Sequence, residues 1–477
     1  MTPLIFPFRF ELLWSDALVW LLVLTAIGFA AYTRNHPHLR APWARVARSA
    51  SGMAAATVLA AFVLVGLLDS VHYRAALPPQ GGKTAYATEV RSLLDRVLEP
   101  LRLTREKTYS APLATHLYAK ETVQGPDGSE TRVFPRLRHG GAHLKDPQAD
   151  WGRDVVLKAF RGLAFGLLFW FVAVLGVCAV LARSPDSSIE STWREAWAGR
   201  TAVPWRAVFC AFGLMCVLIG PVVALAPYYH VLGTDKVGQD VLYQALKSIR
   251  TGLVIGTLAT LVMLPFALVL GLMAGYFKGW IDDVIQYVYT TLSSIPGVLL
   301  IAAAVLMMQV YIENHAELFP TTEIRADIRL LALCVILGVT SWTGLCRLLR
   351  GEALKLREME YIQAAHAFGV SHWRIMMRHI TPNVMHIVMI ALVMDFSGLV
   401  LAEAVLSYVG VGVDPSMISF GTMINSARLE MAREPMVWWS LAAAFMFMLT
   451  LVLAANLFAD AVRDAFDPRL IVGGGRP

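Results

Sequence analysis

Charged residues are scarce in this chain. Asp, Glu, Lys and Arg make up 16% of its 477 residues, and 57% are hydrophobic, whereas a soluble domain is about 25% charged. Several apolar runs of roughly 18 residues or more account for the imbalance. Alternating segments of about ten residues, which indicate a transmembrane β-barrel, are lacking. An all-α polytopic membrane protein is therefore predicted.

Cysteine is also sparse. None of the five cysteines belongs to a CxxC pair, and each lies in or beside an apolar segment. This pattern predicts packing residues, with no disulfide and no metal site. No aromatic-rich basic motif for nucleic acid is present. The net charge of +6 is explained by Lys and Arg beside the apolar runs, so no nucleic acid partner is expected.

A complete nucleotide-binding loop is missing. The stretch GGKT, Gly81 to Thr84, resembles the end of a phosphate loop, but Leu77 occupies the position where that pattern has its first glycine. No strand precedes the stretch. We expect no bound cofactor, so ATP-driven transport would require another subunit to hydrolyse the ATP.

Nine apolar runs are long enough to span a bilayer as helices. The first is interpreted as a retained helix rather than a signal peptide, because Glu11 lies beside its single Arg9 and no clear cleavage site follows. The predicted spans are 14–33, 52–70, 157–182, 206–228, 251–275, 284–311, 328–348, 384–406 and 437–461.

Arginine and lysine predict the orientation. Segments 34–51, 183–205 and 349–383 are short and basic, so the positive-inside rule places them in the cytoplasm. With nine spans, this puts the N-terminus outside, the C-terminus in the cytoplasm and segment 71–156 outside.

Four regions follow from these spans: two helices in 1–70, an external loop domain in 71–156, a third extra helix and linker in 157–205, and a core in 206–470. The external segment is a candidate small module or cap. Residues 88–101 have helical spacing and predict one amphipathic helix. The stretch GPDGSE, Gly125 to Glu130, predicts a turn between strand-like runs.

Segment 354–383 contains a polar stretch from Glu360 to Asn383, EYIQAAHAFGVSHWRIMMRHITPN. Its pattern predicts two short helices joined at Gly369, with small residues on one face. The apolar stripe of the first is Tyr361, Ala364, Ala365 and Phe368; Ser371 is expected to cap the second, Arg374 and Arg378 to lie near the membrane surface, and Pro382 to end it. The pair is either displayed in the cytoplasm for a partner or lies on the lipid as an interfacial pair.

The order QAAHAFG followed by ITP resembles the EAA loop of permease subunits in binding-protein-dependent ABC importers. Gln363 replaces the glutamate of that motif, whereas Ala364, Ala365, Gly369, Ile380 and Pro382 fit. The flanks resemble the dipeptide, oligopeptide and nickel branch of the family. The resemblance implies that the 358–372 helix docks into a groove on an ATPase subunit.

Further stretches resemble the same branch over about 205–470. HVLGTDKVGQDVL resembles the family segment HPLGTDxxGRDVL, with Gln239 in place of its Arg; the fitting residues are His230, Gly233, Thr234, Asp235, Gly238, Asp240, Val241 and Leu242. The stretch 274–300 resembles AGYxGGWxDxxxMRxxDxxxxxPxxLL, in which Pro296 is expected to kink the span. In LAEAVLSYVGVGVDP, the fitting residues are Glu403, Ser407, Gly410, Gly412 and Pro415. RDAFDPR, 463–469, resembles the family's C-terminal end.

This resemblance implies a six-helix ABC importer permease core preceded by three extra helices, in a bacterial inner membrane. It implies two ATPase subunits that bind ATP and Mg²⁺, a second permease and an extracytoplasmic solute-binding protein as partners. Peptides are the expected substrates; nickel, modified peptides or oligosaccharides remain alternatives.

Candidate residues of the translocation path are Asp395, Glu403 and Asp240. Asp395 lies within an apolar span, where it either faces a cavity that attracts a peptide amino terminus or pairs with a neighbouring helix. The structural alternative for Glu403 and Asp240 is hydrogen bonding to loop amides. Asp282 and Asp283 are predicted to cap the following helix.

Two other function classes compete with the importer. A channel or secondary transporter would have inverted repeats and paired broken helices, and no convincing internal repeat is found. A membrane scaffold or sensor would bind its ligand through the external domain. The several motifs in family order favour the importer.

Overall fold

The computed structural model describes residues 8–77, 86–124, 130–182, 188–319 and 321–466, and helices dominate them. Eight helices precede the family motif that begins at His230. They are α1 (Trp14–Arg34), α2 (Pro37–Val46), α3 (Ala50–Asp69), α4 (Leu93–Val97), α5 (Glu99–Leu103), α6 (Pro147–Leu181), α7 (Ile189–Ala198) and α8 (Trp205–Leu225).

Ten α-helices follow the start of that motif. They are α9 (Val241–Phe277), α10 (Trp280–Ser294), α11 (Gly297–Asn314), α12 (Thr322–Ser341), α13 (Thr343–Arg357), α14 (Glu360–Ala367), α15 (His372–Ile375), α16 (Thr381–Val409), α17 (Phe420–Glu430) and α18 (Trp439–Phe466). A short 3₁₀ helix, Ala316–Leu318, follows α11, and a π-helical turn, Met376–Ile380, joins α15 to α16.

Within the described residues, nine helical segments are long and apolar enough to cross a membrane. Each corresponds to one predicted span, so the predicted all-α polytopic class is confirmed. The predicted span 284–311 is interrupted, as expected at Pro296. Ile295 is extended there, because the residue before proline avoids the helical region. The interruption separates α10 from α11, and α11 alone is the candidate span.

A small antiparallel sheet joins the N-terminus to the segment after α3. Its strands are β1 (Phe8–Phe10), β2 (His72–Ala75) and β3 (Arg91–Ser92), in the order β1-β2-β3. Phe8 lies opposite Ala75, and Tyr73 opposite Arg91. The pairing holds the residues that precede α1 in the sequence beside those that follow α3.

The predicted single helix over 88–101 is wrong. The structure has β3 and then two short helices in this stretch, because Ser92 caps α4 through a reciprocal hydrogen-bond pair with Asp95, and Pro100 lies in the first turn of α5. A proline is tolerated there but not in a helix interior. The strand-like runs beside GPDGSE are confirmed as β4 (Glu121–Gln124) and β5 (Glu130–Val133), paired antiparallel. Residues 125–129, GGKT and the end of RDAFDPR lie outside the described residues.

The chain forms two compact units. The first comprises Met1–Leu12, Ala47–Thr251 and Ile418–Ala454, and the second comprises Leu13–Val46, Gly252–Met417 and Ala455–Pro477. Each unit therefore contains N-terminal residues together with part of the permease-like region.

In the first unit, α6 and α8 pack with their backbones in close approach. A Cβ atom added at Gly162 would clash with the Gly220 carbonyl oxygen, and one added at Gly166 would clash with that of Cys216. Small residues at such crossings allow membrane helices to pack closely without a hydrophobic driving force. The third extra helix is thereby packed against the first predicted core span.

In the second unit, α1 is anchored to α12 by a buried polar contact. The Ser15 backbone N–H donates to Asp327 Oδ2 over 3.1 Å, and the Ser15 hydroxyl donates to Asp327 Oδ1. Both side chains are buried. The carboxylate satisfies an N–H group in the first turn of α1, as a cap residue would do. The first extra helix therefore packs directly on a helix of the permease-like region.

Candidate functional site

Segment 354–383 contains the end of α13, the short helix α14 and a sharp corner. Gly369 has φ +73°, a conformation that side chains with a Cβ rarely adopt. The Val370 N–H donates to the Ala365 carbonyl, and the Gly369 N–H donates to that of His366. These are the two bonds of a Schellman motif. The predicted corner at Gly369 is confirmed.

The residues of the predicted stripe lie on two faces of α14. Ile362 is buried, and Ala365 packs against the same apolar cluster. Tyr361, Ala364, Gln363 and Glu360 are exposed, and Phe368 is 87% exposed. The face with Ile362 and Ala365 packs α14 on the rest of the second unit. The exposed face presents Ala364 between the aromatic side chains of Tyr361 and Phe368.

Two further details differ from expectation. Helix α15 begins at His372 after Ser371, but the Ser371 side chain makes no capping hydrogen bond. Pro382 does not end the helix, because the helical path continues from His372 to Val409. A π-helical turn precedes Pro382, and side-chain hydrogen bonds lie on either side of the proline: the Thr381 hydroxyl donates to the Met376 carbonyl over 3.0 Å, and the Asn383 side-chain amide donates to that of His379 over 2.6 Å. Pro382 itself lies in the first turn of α16, where a proline is tolerated.

Polar contacts attach α14 and α15 to the end of α9. The Tyr276 hydroxyl lies 2.8 Å from His372 Nδ1, and the Arg357 guanidinium donates to the Tyr276 carbonyl over 2.8 Å. Lys278 Nζ donates to exposed Glu358 over 2.8 Å and thereby lowers the pKa of that carboxyl. Tyr276, Arg357, Glu358 and His372 also line a recess of 290 Å³, whose wall includes Gln363 and His366.

Helix α13 packs on α9 through glycines. A Cβ atom at Gly275 would lie 2.6 Å from the Ala353 Cβ, and one at Gly271 would lie 2.8 Å from the Cys346 carbonyl oxygen. This close packing joins α14, through α13, to the 37-residue helix α9. Displacement of α14 is therefore coupled to α13 and α9.

Helix α10 is attached to α13 by an ion pair. Arg350 donates to both oxygens of Asp282, over 2.6 and 2.8 Å, and these bonds lower the pKa of Asp282. The predicted capping role is wrong for Asp282 and Asp283, because Gly279 occupies the cap position and no side chain caps the helix. Asp282 instead binds Arg350 through both carboxylate oxygens. The planar guanidinium of arginine is well suited to such a bidentate contact.

A second polar site is built around the motif that begins at His230. Gly233 and Gly238 have φ +74° and +72°, which explains the glycines. Asp240 Oδ1 accepts from the backbone N–H of Leu242 and Tyr243, and so caps α9. Its Oδ2 lies 2.7 Å from His230 Nδ1. Asp235 accepts from the backbone N–H of Gln239 over 2.8 Å. The motif therefore forms a compact loop, held by hydrogen bonds between its own residues, at the N-terminal end of α9.

Glu106, which the sequence did not single out, completes this site from segment 71–156, the segment predicted to be external and called the external segment below. Its carboxylate accepts from the backbone N–H of Arg138, His139 and Gly140 over 2.8–3.2 Å. Oε1 lies 3.5 Å from His230 Nε2. No local pattern in the sequence indicates this contact, because Glu106 lies more than a hundred residues before the motif.

Burial and charge have opposite effects on His230. Burial favours the neutral imidazole, but the hydrogen bond to Asp240 and the negative charges of Asp240 and Glu106 outweigh it and raise the His230 pKa to about 9. Burial raises the pKa of Glu106, but the His230 contact and three backbone donors lower it to about 2. An imidazolium between two carboxylates is therefore the stable state at neutral pH.

Further contacts attach the external segment to the motif. Thr234 accepts from the Ser110 N–H over 2.7 Å, and its own N–H donates to the Ser110 carbonyl. The Trp439 indole donates to the Thr234 carbonyl over 2.9 Å. A Cβ at Gly238 would clash with the Glu106 carbonyl. Residues of the external segment therefore contact the motif directly, through both hydrogen bonds and close packing.

The three path candidates differ in burial. Asp240 is fully buried, and both of its oxygens are bonded within the protein. Glu403 is buried too and accepts from the Ser407 hydroxyl over 2.7 Å. Asp240 thus bonds backbone amides, as the structural alternative predicted, whereas the Ser407 partner of Glu403 lies on the same helix. Asp395 is half-buried on α16, and no hydrogen bond or ion pair joins it to another described residue.

Comparison with known proteins points to one family. Residues 267–472 match the family model described as binding-protein-dependent transport system inner membrane component. The chain is 30% identical over 316 residues to the glutathione transport system permease protein GsiD of Pectobacterium atrosepticum, covering 61% of this chain and 97% of that protein. It is 35% identical over 239 residues to the oligopeptide transport system permease protein OppC of Mycobacterium tuberculosis, covering 50% and 76%. The dipeptide transport system permease protein DppC of Lactococcus lactis is 28% identical over 240 residues, covering 50% and 64%.

Proposed function

The chain belongs to the family of binding-protein-dependent transport system inner membrane components, and on that premise we propose that it is the permease subunit of an ATP-driven importer of peptides. A second permease would complete the passage, two separate ATPase subunits would bind ATP and Mg²⁺, and an extracytoplasmic solute-binding protein would deliver the substrate. The chain itself would catalyse no reaction.

The exposed face of α14 is the observation that carries this proposal. Phe368 is almost fully exposed, and Arg374 and Arg378 are exposed cations. The described residues provide no carboxylate partner for either arginine. A segment that exposes an apolar anchor and, in the helical turns that follow it, two cations is suited to a protein partner. We assign the ATPase to this face, with Glu360, Tyr361, Gln363 and Ala364 in the contact.

Alternating access would follow from this contact. Closure of the nucleotide-bound ATPases would move α14, and the glycine packing of α13 on α9 would transmit the movement. Coupling requires that the ATPase bind the two permease states with different affinity. The attachment of α14 through Ile362 and Ala365 supports this transmission.

The test is co-purification of a co-encoded ATPase with the full chain, together with uptake by the complete transporter. Phe368→Ala should weaken ATPase association about thirtyfold, because hot-spot aromatics contribute about 2 kcal/mol or more. Gly369→Trp should block both association and uptake. Phe134→Ala is the matched control, since Phe134 is an exposed aromatic of the external segment. Intact uptake with Gly369→Trp would contradict the proposal.

Peptide is the proposed substrate class because the relatives are permeases for glutathione, oligopeptides and dipeptides. Asp395 is the proposed contact for the peptide amino terminus, since an intramembrane acid without a partner is suited to a cationic ligand. Asp395→Asn should raise the half-saturating concentration of a free dipeptide more than that of its N-acetylated form. An equal change for both forms would remove Asp395 from the path. Competition by nickel or oligosaccharides would favour those alternatives.

The proposed orientation places the β1–β3 sheet and the external segment outside and segment 354–383 in the cytoplasm, in a bacterial inner membrane. The basic short segments and the pairing of β1 with β2 support it. Cysteine introduced at exposed Glu130 should react with a membrane-impermeant reagent in intact spheroplasts. Cysteine at exposed Lys355 should react only after permeabilisation. The reverse pattern would invert the topology.

A further inference from the structure

A groove of 570 Å³ runs along α6 and α8, within the range of about 300–1,000 Å³ that ligand pockets have. Gly162, Gly166 and Gly220 line it where the two backbones meet. Large apolar side chains form its walls on either side; they include Phe165, Phe169, Phe212, Ile219 and Val223. Because the two helices touch through small residues, the groove remains open between the larger side chains on either side.

The walls of the groove face outward. Phe165 is 71% exposed and Val223 is 63% exposed, and both belong to candidate membrane spans. In a membrane, such apolar side chains contact lipid acyl chains. A chain lying in the groove would pass over Gly166 and Gly220, which are half-buried, and over the packed Gly162 between them and Arg161.

Arg161 lies at one end of the groove. Residues 162–182 contain no charged side chain, and the helical part of that run spans about 30 Å, the thickness of the hydrocarbon core. Arg161 therefore lies at headgroup level. Tyr228 lines the groove at the same end, and tyrosine is enriched at this membrane depth.

The charges at this end do not balance. Lys158 is paired with Asp154 and lies 4.3 Å from the centre of the Tyr228 ring. Asp154 also accepts from the Tyr229 hydroxyl over 2.7 Å. Arg161 is exposed, and the described residues supply no carboxylate for it. An uncompensated cation remains where a lipid phosphate would lie.

We propose that the α6–α8 groove binds one acidic phospholipid, with its anionic headgroup at Arg161 and an acyl chain over Gly162, Gly166 and Gly220. Basic pockets between membrane helices recognise acidic headgroups in this way. The unpaired charge favours an acidic lipid over a zwitterionic one, whose headgroup carries its own cation. The site lies outside the segments assigned to the ATPase and the substrate, so the two proposals can fail separately.

The test compares phosphatidylglycerol with phosphatidylcholine carrying the same acyl chains. The full chain is purified in detergent and delipidated, and bound lipid is counted by native mass spectrometry at increasing lipid concentration. We expect one phosphatidylglycerol bound about fivefold more tightly than phosphatidylcholine, since one basic residue near a membrane contributes about 1 kcal/mol. Arg161→Ala should abolish this preference, and Arg161→Lys should retain it.

Two further variants separate charge from shape. Arg206, an exposed arginine near the start of α8, lies outside the groove, so Arg206→Ala should leave the preference unchanged. Val223→Trp fills the groove without altering charge and should reduce retention of both lipids. Equal binding of the two lipids, or a preference that survives Arg161→Ala, would overturn the proposal. Disulfide-linked dimers of Val223→Cys would also overturn it, because a second copy would then occupy the groove.

Discussion

Glu106 Oε1 and His230 Nε2 lie 3.5 Å apart in a buried cluster that joins the external segment to the family motif. Asp240 lies on the opposite edge of the imidazole, 2.7 Å away. The external segment, which the family resemblance did not cover, therefore supplies one of the two acids that hold the motif's histidine. In this chain the N-terminal end of α9 is closed by residues from two distant parts of the sequence.

Removing the charge of Glu106 should destabilise the first unit. Glu106→Gln leaves the buried imidazolium with one acid and retains at most part of the bonding to Arg138, His139 and Gly140. Loss of one partner from a buried ion pair typically costs about 3 kcal/mol. Thermal unfolding and limited proteolysis of the external segment would report the loss. Glu121→Gln, at an exposed ion pair with Lys107, should change stability by less than about 1 kcal/mol.

The same cluster predicts a loss of stability at alkaline pH. The folded pKa of His230 is about 9, above its unfolded value of about 6.5. Its contribution is therefore fully present below about pH 6.5 and is lost as the pH rises through 9. The melting temperature of the wild-type chain should fall across this window, and that of His230→Gln should fall less. Parallel curves for the two chains would exclude His230 as the group responsible.

Glu106 makes stability depend on pH in the opposite direction, at acidic pH. The folded pKa of Glu106 is about 2, below its unfolded value of about 4.3. Its contribution is present above that unfolded value and disappears as the pH falls towards 2. Glu106→Gln should therefore remove part of the loss in melting temperature between about pH 4.5 and pH 2. An unchanged acidic limb in this variant would assign the transition to other carboxylates.

Loss of the Asp327 carboxylate should loosen α1. Asp327→Ala leaves the Ser15 N–H without its acceptor, and loss of a comparable helix cap costs about 1–2 kcal/mol. A cysteine pair placed across the α1–α12 contact should then cross-link more slowly. Glu317→Ala provides the control, because Glu317 is exposed in the 3₁₀ helix before α12. An unchanged cross-linking rate with Asp327→Ala would mean that apolar packing alone holds α1.

A side chain at Gly275 should separate α13 from α9. The added Cβ would lie 2.6 Å from Ala353, so Gly275→Val forces the helices apart at a cost of about 1–3 kcal/mol. Stimulation of the ATPase by transported substrate should fall with it. Gly344→Ala is the matched change within α13, because nothing lies within 4 Å of its added Cβ. If both variants retain full coupling, this contact does not transmit the movement.

Several features could be read locally from the sequence. The nine spans follow from apolar runs that match the bilayer thickness. Gly369 has the left-handed backbone conformation that its place after the apolar stripe of α14 predicted. Other features depended on neighbours. Residues 88–101 had helical spacing, yet Ser92 and Pro100 divided the stretch. The helical path continues past Pro382, which lies in the first turn of α16 after a π-helical turn.

By itself the sequence determined the all-α membrane class, the number and order of the spans and the segment suited to a partner, because hydrophobic run length, charge bias and local turn signals depend on adjacent residues. Only the tertiary structure decided that Glu106 pairs with His230, that Asp327 caps α1, and that α6 and α8 enclose a groove ending at Arg161. These contacts join residues far apart in the chain, and no local pattern in one sequence encodes which distant partner a buried charge will find.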